Sequence, residues 1–267
     1  MGLVLSRSGQ EIRGELLMEA EQHNLEIHEN RRAWESKLVL REVYADLYRL
    51  IAANLAPQEG ETLNLELGSG MGNVKQFIPD CITSDIFPNP WLDRMENAYR
   101  LNFPQEGLAN LILFDVWHHL QYPANALAEA ARALKPGGRL LVMDPAMSAT
   151  GCFVYGLFHH EPLGFQVGFQ TKPVALNKPA DLPYFAAQSS AQRLLVRRES
   201  PELLLGWKTL KILQITSFAY LASGGFRGRQ LYPDQMLPVV RAMDRLLGVF
   251  PRLFAARLLV VLEKSPS

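Results

Sequence analysis

Three glycines stand at alternate positions behind an acidic residue in ELGSGMGN, residues 66–73: Glu66, then Gly68, Gly70 and Gly72. A backbone so bare of side chains lets a ligand come close. Three more carboxylates, Asp85, Asp115 and Asp144, each close an apolar segment. His118 and His119 follow Asp115, and FHHEP carries His159, His160 and Glu161. Histidines and carboxylates in such places can accept or donate protons. A metal is a second chemistry for FHHEP, but neighbouring histidines on a strand or helix point apart and rarely chelate together. No metal is therefore expected.

The glycine loop excludes some ligands. No Gly-Lys-Ser/Thr follows it, so it is not a phosphate loop of the Walker type. A dinucleotide loop reads G-x-G-x-x-G, and Asn73 stands where its third glycine would be. Glu66 would repel a pyrophosphate and attract a cation. A phosphate-free adenosine ligand with a positive charge suits the site, and S-adenosylmethionine has these features.

The elements that must hold these residues alternate in type. Residues 8–57 read as helical, with Leu38, Val39, Val43, Leu47 and Leu50 at helix spacing and Pro57 and Gly60 ending the run. Trp34, Tyr44 and Tyr48 either pack or line a pocket. TLNLEL then alternates as a strand, GNVKQFI is a short helix, CITSD a second strand, and WLDRMEN holds a third. LANLILFD is an apolar strand. PANALAEAARAL is a helix with Pro123 early in it, stopped by Lys135, Pro136, Gly137 and Gly138. RLLVMDP is another buried strand. Such alternation predicts a parallel sheet covered on both faces, with ligands beyond the carboxyl ends of its strands. Further on, LKILQITSFAYLA reads as a strand, PDQMLPVVRAMDRLL as a helix and ARLLVVLEK as a last strand.

The E-x-G-x-G-x-G arrangement resembles the first motif of class I S-adenosylmethionine-dependent methyltransferases. ENAYRLNF, ANLILFDVWHHL and AARALKPGGRLLVMDP resemble, in order, further segments of the type 11 methyltransferase domain, and together the likeness covers residues 62–146. It implies a Rossmann-like, doubly wound α/β fold: a mainly parallel seven-stranded sheet with N-terminal helices and a cap inserted after the fifth strand. The implied divisions are a helical extension (1–60), a donor-binding core (61–146), a cap or substrate insertion (147–205) and a C-terminal strand–helix–strand unit (206–267). The resemblance also implies the cofactor, S-adenosylmethionine, and its contacts. Gly68, Ser69 and Gly70 would admit it, Glu66 would face its amino-acid portion, Asp85 its ribose and Ile86 its adenine. Asn97, with Ala98, would meet the adenine edge, and Phe114 and Asp115 the methionine portion. Asn97 replaces the family's usual Asp, and the short Pro88- and Pro90-bearing interval after Asp85 leaves little room for a crossover helix.

Transfer from a sulfonium needs mainly alignment and exclusion of water, and a base only where the acceptor must lose a proton. His118, His119, His159, His160 and Glu161 are the candidates, each with a local structural role as the alternative. Phe153, Tyr155, Phe158, Phe165 and Phe169 form either an apolar acceptor pocket or the cap's own core. The expected function is methyl transfer, for instance to oxygen, on a small-molecule or lipid-like acceptor. A protein or RNA methyltransferase and a non-catalytic S-adenosylmethionine-binding protein are the alternatives.

The 267 residues carry no net charge, are 48% hydrophobic and suffice for one large domain. Residues 1–150 hold 13 Lys/Arg against 20 Asp/Glu, and residues 151–267 hold 14 against 7. This asymmetry is either two halves in balance or a basic face toward an anionic substrate or a membrane surface. No Lys/Arg run interleaved with aromatics points to nucleic acid. The two cysteines, and the lack of any long apolar run or secretion signal, predict a cytoplasmic protein. Gly2 and Ser6 match only a loose myristoylation pattern.

Overall fold

The computed structural model describes residues 24–58, 60–159, 161–176 and 182–266. Its strands are β1 (Leu63–Leu67), β2 (Cys81–Asp85), β3 (Arg94–Met95), β4 (Leu108–Phe114), β5 (Leu134–Pro145), β6 (Trp207–Thr216) and β7 (Ala255–Lys264). They form one sheet in the order β3-β2-β1-β4-β5-β7-β6. The pairs from β3 through β5 are parallel, while β7 runs antiparallel between β5 and β6. This is the expected mainly parallel, seven-stranded α/β fold. The connections diverge at β1 and β4, which places a crevice beyond their carboxyl ends.

The helices are α1 (the described residues 24–36), α2 (Leu38–Ala52), α3 (Pro123–Ala133), α4 (Ala149–Phe158), α5 (Phe218–Ala222), α6 (Leu237–Leu247) and α7 (Pro251–Phe254). Alternate residues of the central strands bury into opposite cores. Leu111 and Leu113 of β4, with Leu140, Val142, Leu258 and Val260, pack beneath Leu127 and Ala130 of α3. Ile112 and Phe114, with Leu141, Met143, Leu259 and Val261, pack beneath Leu40, Tyr44, Leu47, Tyr48 and Ile51 of α2. Burial on both faces is why these strands read as unbroken apolar runs. Among the described residues, no helix is long and apolar enough to cross a membrane.

Several elements differ from the sequence reading. The first helical run, so far as it is described, breaks at Lys37 and ends at Ala52; residues 8–23, like Gly2 and Ser6, lie outside the described residues. Leu38 is exposed, because α2 is covered on two sides: Val39 and Val43 pack on Ala219 and Leu237 of α5 and α6. Trp34, Tyr44 and Tyr48 belong to the α2 core. GNVKQFI yields only one 3-10 turn, Asn73–Gln76. Residues 86–93 contain no helix, as the prolines required. Lys135–Gly138 do not stop α3 in a loop; they lie inside β5 as a bulge, where the β4 register shifts. SFAYLA leaves the strand. The Asp244 carboxylate accepts the N–H groups of Phe218 (2.6 Å) and Ala219 (3.1 Å), satisfying amides at the start of α5.

The five aromatics of the insertion do not share a pocket. Phe153, Phe158 and Phe165 are exposed. Tyr155 is buried and donates to the Ala256 carbonyl at 2.8 Å, and Phe169 lies under the Arg193 guanidinium. The insertion's far end, including Ala191, Leu194, Leu195 and Leu203, packs into the α3-side core.

Candidate active site

The glycine loop leaves β1 in a conformation only glycine adopts readily. Gly68, Gly70 and Gly72 have φ of +67°, +53° and +73°. A Cβ on Gly68 would strike the Val116 side chain, so the segments after β1 and β4 touch. A Cβ on Gly72 would come to 2.9 Å from the Trp91 carbonyl. Asp85, at the end of β2, reaches across to the loop: its Oδ2 accepts the Gly70 N–H at 3.3 Å, and its Oδ1 accepts the Ile86 N–H at 2.7 Å. The Asn89 amide donates to the Gly70 carbonyl at 2.9 Å. Asn97 accepts the Tyr99 N–H at 2.9 Å, and Ala98 packs on the core. Ile86 is exposed.

α1 lies over this loop. Ile27 stands 3.4 Å from where a Gly70 Cβ would be. His28 meets the Trp91 ring edge-on at 5.0 Å, and Arg31 lies over the same ring at 5.0 Å. Glu66 is buried beneath, and neither carboxylate oxygen has a well-formed hydrogen bond among the described residues. Burial pushes its carboxyl up to about 7, with the nearby Ser69 and Tyr48 hydroxyls opposing and Asp85 adding to the rise. A buried carboxylate so poorly satisfied is the environment a cationic ligand would relieve.

The second group of residues stands at the ends of β4 and β5. Asp115 follows β4 at φ +57°. It does not cap the next turn; its Oδ1 lies 2.6 Å from Nη2 of Arg257, a fully buried residue of β7. The Arg257 guanidinium also lies over Phe114 (5.3 Å) and Tyr220 (5.1 Å). Next, the 3-10 turn Trp117–His119 brings the His118 and His119 rings to 4.0 Å at 43°. His118 Nδ1 meets Asp144 Oδ1 at 2.8 Å, and its Nε2 lies 3.3 Å from Glu161 Oε2. His119 Nδ1 donates to the Phe185 carbonyl at 3.0 Å, which leaves the neutral ring's lone pair on Nε2, 3.7 Å from Glu161 Oε1. His159 Nδ1 accepts the Glu161 N–H at 3.3 Å and lies 3.7 Å from Glu161 Oε2. The Tyr184 hydroxyl and the Gln188 amide both donate to the Glu161 carboxylate. His160 lies outside the described residues.

Burial works on each member differently. It would lower His118, but the Asp144 carboxylate and Glu161 outweigh it and raise the imidazole to about 10. Burial and the His118 charge together lower His119 to about 4. Burial opposes ionisation of Glu161, yet His118, His119 and Tyr184 hold it well below the usual carboxylate range. Burial raises Asp144 despite its histidine partner. At neutral pH His118 is therefore an imidazolium held beside Asp144 and Glu161, with a neutral His119 on its open side.

Of the residues singled out in the sequence, Asp115, His118, His119, His159 and Glu161 converge, and Asp85 meets the glycine loop. Arg257, Tyr184, Gln188 and the α1 residues over the loop were missed. Arg257 had a signal: a lone arginine inside an apolar strand is buried with a partner or exposed at an edge. Tyr184 and Gln188 had none, since they sit in a stretch without periodicity.

Known proteins match this chain at two levels. The family described as a methyltransferase domain matches residues 39–194, more than half of the chain. No curated protein matches. Among solved structures, the [4+2]-cyclase SpnF is 14% identical, with 84% of this chain and 82% of that one covered and a TM-score of 0.48. The YcgJ protein from Bacillus subtilis is 15% identical, with 82% and 98% covered and a TM-score of 0.46. An S-adenosylmethionine-dependent methyltransferase from Mesorhizobium loti is 12% identical, with 82% and 96% covered and a TM-score of 0.44.

Proposed function

The chain belongs to the methyltransferase-domain family, and from that premise we propose that it transfers the methyl group of S-adenosylmethionine to a hydroxyl of a small-molecule or lipid-like acceptor. The observation that carries the reading is the Asp144–His118–Glu161–His119 cluster, whose histidines follow closely on Val116, the residue that touches the glycine loop at Gly68.

The donor's expected holders fit it. The buried, poorly satisfied Glu66 carboxylate suits a positive charge. The left-handed glycines leave the loop without their side chains, and Asp85, bonded to the loop at the end of β2, offers a carboxylate suited to a ribose's paired hydroxyls. When bound, the donor supplies an activated methyl on sulfur. The chain's part is to orient the acceptor and exclude water. His119, on the open side of the cluster, helps orient the acceptor hydroxyl. Its lowered pKa makes it a weak base, so it orients the hydroxyl more than it strips the proton. His118, clamped between Asp144 and Glu161, fixes the carboxylate against which the hydroxyl rests. The exposed Phe153, Leu157 and Phe158 of α4, leading directly into His159, support an apolar acceptor.

Calorimetry with S-adenosylmethionine, its demethylated product and NAD tests the premise. The first two should bind at one site per chain and NAD should not. Binding of NAD alone would overturn the reading.

A further inference from the structure

We propose that His118 Nε2, His119 Nε2 and the Glu161 carboxylate form a binding site for one divalent transition-metal ion, with zinc as the representative. The donor atoms lie within 4.8 Å of one another. The nitrogen-to-carboxylate separations are 3.3 Å and 3.7 Å. Zinc binds nitrogen and oxygen at about 2.0–2.2 Å, so two ligands of a tetrahedral ion stand about 3.3–3.6 Å apart. The edge from His118 to Glu161 Oε2 already has that length, and the edge from His119 to Glu161 Oε1 is slightly longer.

The surrounding shell points the same way. A histidine that ligates a metal usually donates its other ring N–H to a carboxylate or a backbone carbonyl, which orients the ring. Both histidines do so here, His118 to Asp144 at 2.8 Å and His119 to Phe185 at 3.0 Å. Glu161 is oriented in turn by the Tyr184 hydroxyl and the Gln188 amide. A carboxylate has about four lone-pair sites, so these two bonds leave room for an ion. The ion would take the place of the proton on His118 Nε2. Neighbouring histidines diverge on a strand or helix, but the 3-10 turn at Trp117–His119 lets this pair converge.

Two imidazoles and one carboxylate suit zinc and its neighbours in the first transition row better than magnesium or calcium. Three protein ligands leave a position for water or an acceptor oxygen. His119 and His159 are the more exposed members, with side-chain exposures of 31% and 36%, so that position faces outward. Ion binding stands on the geometry alone. Its use in catalysis rests on the proposed methyl transfer: the ion would polarise the acceptor hydroxyl, whose proton leaves to solvent. The O–CH3 bond then forms as the S–CH3 bond breaks, releasing the demethylated donor.

The experiment is calorimetric titration of the chelator-stripped full chain with Zn2+, in parallel with S-adenosylmethionine. The wild type should bind one zinc tightly. His119→Ala and Glu161→Gln should each weaken binding at least about 100-fold, and Asp144→Asn about 10- to 100-fold. Circular dichroism checks that each variant is folded, and partly exposed His119 is the variant least exposed to that risk. Absence of zinc binding in the wild type, or equal affinity in folded His119→Ala, would overturn the proposal. Zinc binding without S-adenosylmethionine binding would instead sink the methyl-transfer reading and leave the metal site standing.

Discussion

Arg257 and Asp115 form an ion pair whose two ends differ in environment, and that difference sets an order of costs. Arg257 is 1% exposed at its side chain, whereas Asp115 is 30% exposed. At 2.6 Å and an effective dielectric constant of about 20, the attraction is about 6 kcal/mol before desolvation. Desolvation of the arginine takes back several kcal/mol. Asp115→Asn keeps the side-chain shape and tolerates the left-handed backbone at φ +57°, but strands a buried guanidinium without its counter-charge. Removing one partner of a buried pair costs about 3–5 kcal/mol. The rings of Phe114 and Tyr220 soften this by about 1–2 kcal/mol together, so we expect Asp115→Asn to cost about 3 kcal/mol. Arg257→Met removes the buried charge and leaves Asp115 able to reach water, so it should cost about 1 kcal/mol. The double variant should match Arg257→Met, because the neutral amide that replaces the carboxylate then faces no orphan cation. Urea unfolding of the ligand-free chain, with the slope m checked for constancy, measures all three. If Arg257→Met proves as costly as Asp115→Asn, the buried cation is not what the pair protects and this argument fails.

Three further outcomes are expected. Gly68→Val forces a β-branched residue to φ +67° against Val116, so it should lose donor binding and at least about 1–2 kcal/mol of stability; a wild-type melt and affinity would make the loop an ordinary turn. Asp85→Ala removes the acceptor of the Gly70 and Ile86 N–H groups and should weaken S-adenosylmethionine at least about tenfold, or 1.4 kcal/mol, by calorimetry. His119→Ala should lower kcat while leaving donor affinity unchanged. Because His119 is lowered to about 4, its charged form appears only as pH falls toward that value. The wild-type kcat profile should therefore show no loss from this group between about pH 6 and 8. A fall in kcat across that range that His119→Ala abolishes would contradict the assignment.

The central strands and the glycine loop were legible in the sequence because their causes are local. A strand buried on both faces must be apolar along its length, and a run of residues at positive φ strongly favours glycine. The mainly parallel sheet followed from the same alternation and the family resemblance, whereas the order of its strands and the antiparallel β7 came from the structure. Limits were local too: Pro88 and Pro90 announced that no helix would fit between β2 and β3. Where the reading failed, a distant residue decided. SFAYLA reads as strand until Asp244, from α6, satisfies the first amides of α5. Leu38 reads as core until α5 and α6 take the neighbouring face of α2 instead.

The site divides along the same line. From the order of its residues alone, the chain determined a glycine loop, carboxylates at strand ends and two histidine pairs of open purpose. Only the tertiary structure showed that His118, His119 and His159 meet at Glu161. It brought Asp144, Glu161, Tyr184 and Gln188 around His118 and His119, from three segments with no common period. It also turned Arg257, an interruption in an apolar strand, into the partner of Asp115. The physical reason is that backbone propensity acts over a few residues, whereas a buried charge is tolerated only where the whole fold delivers its counter-charge.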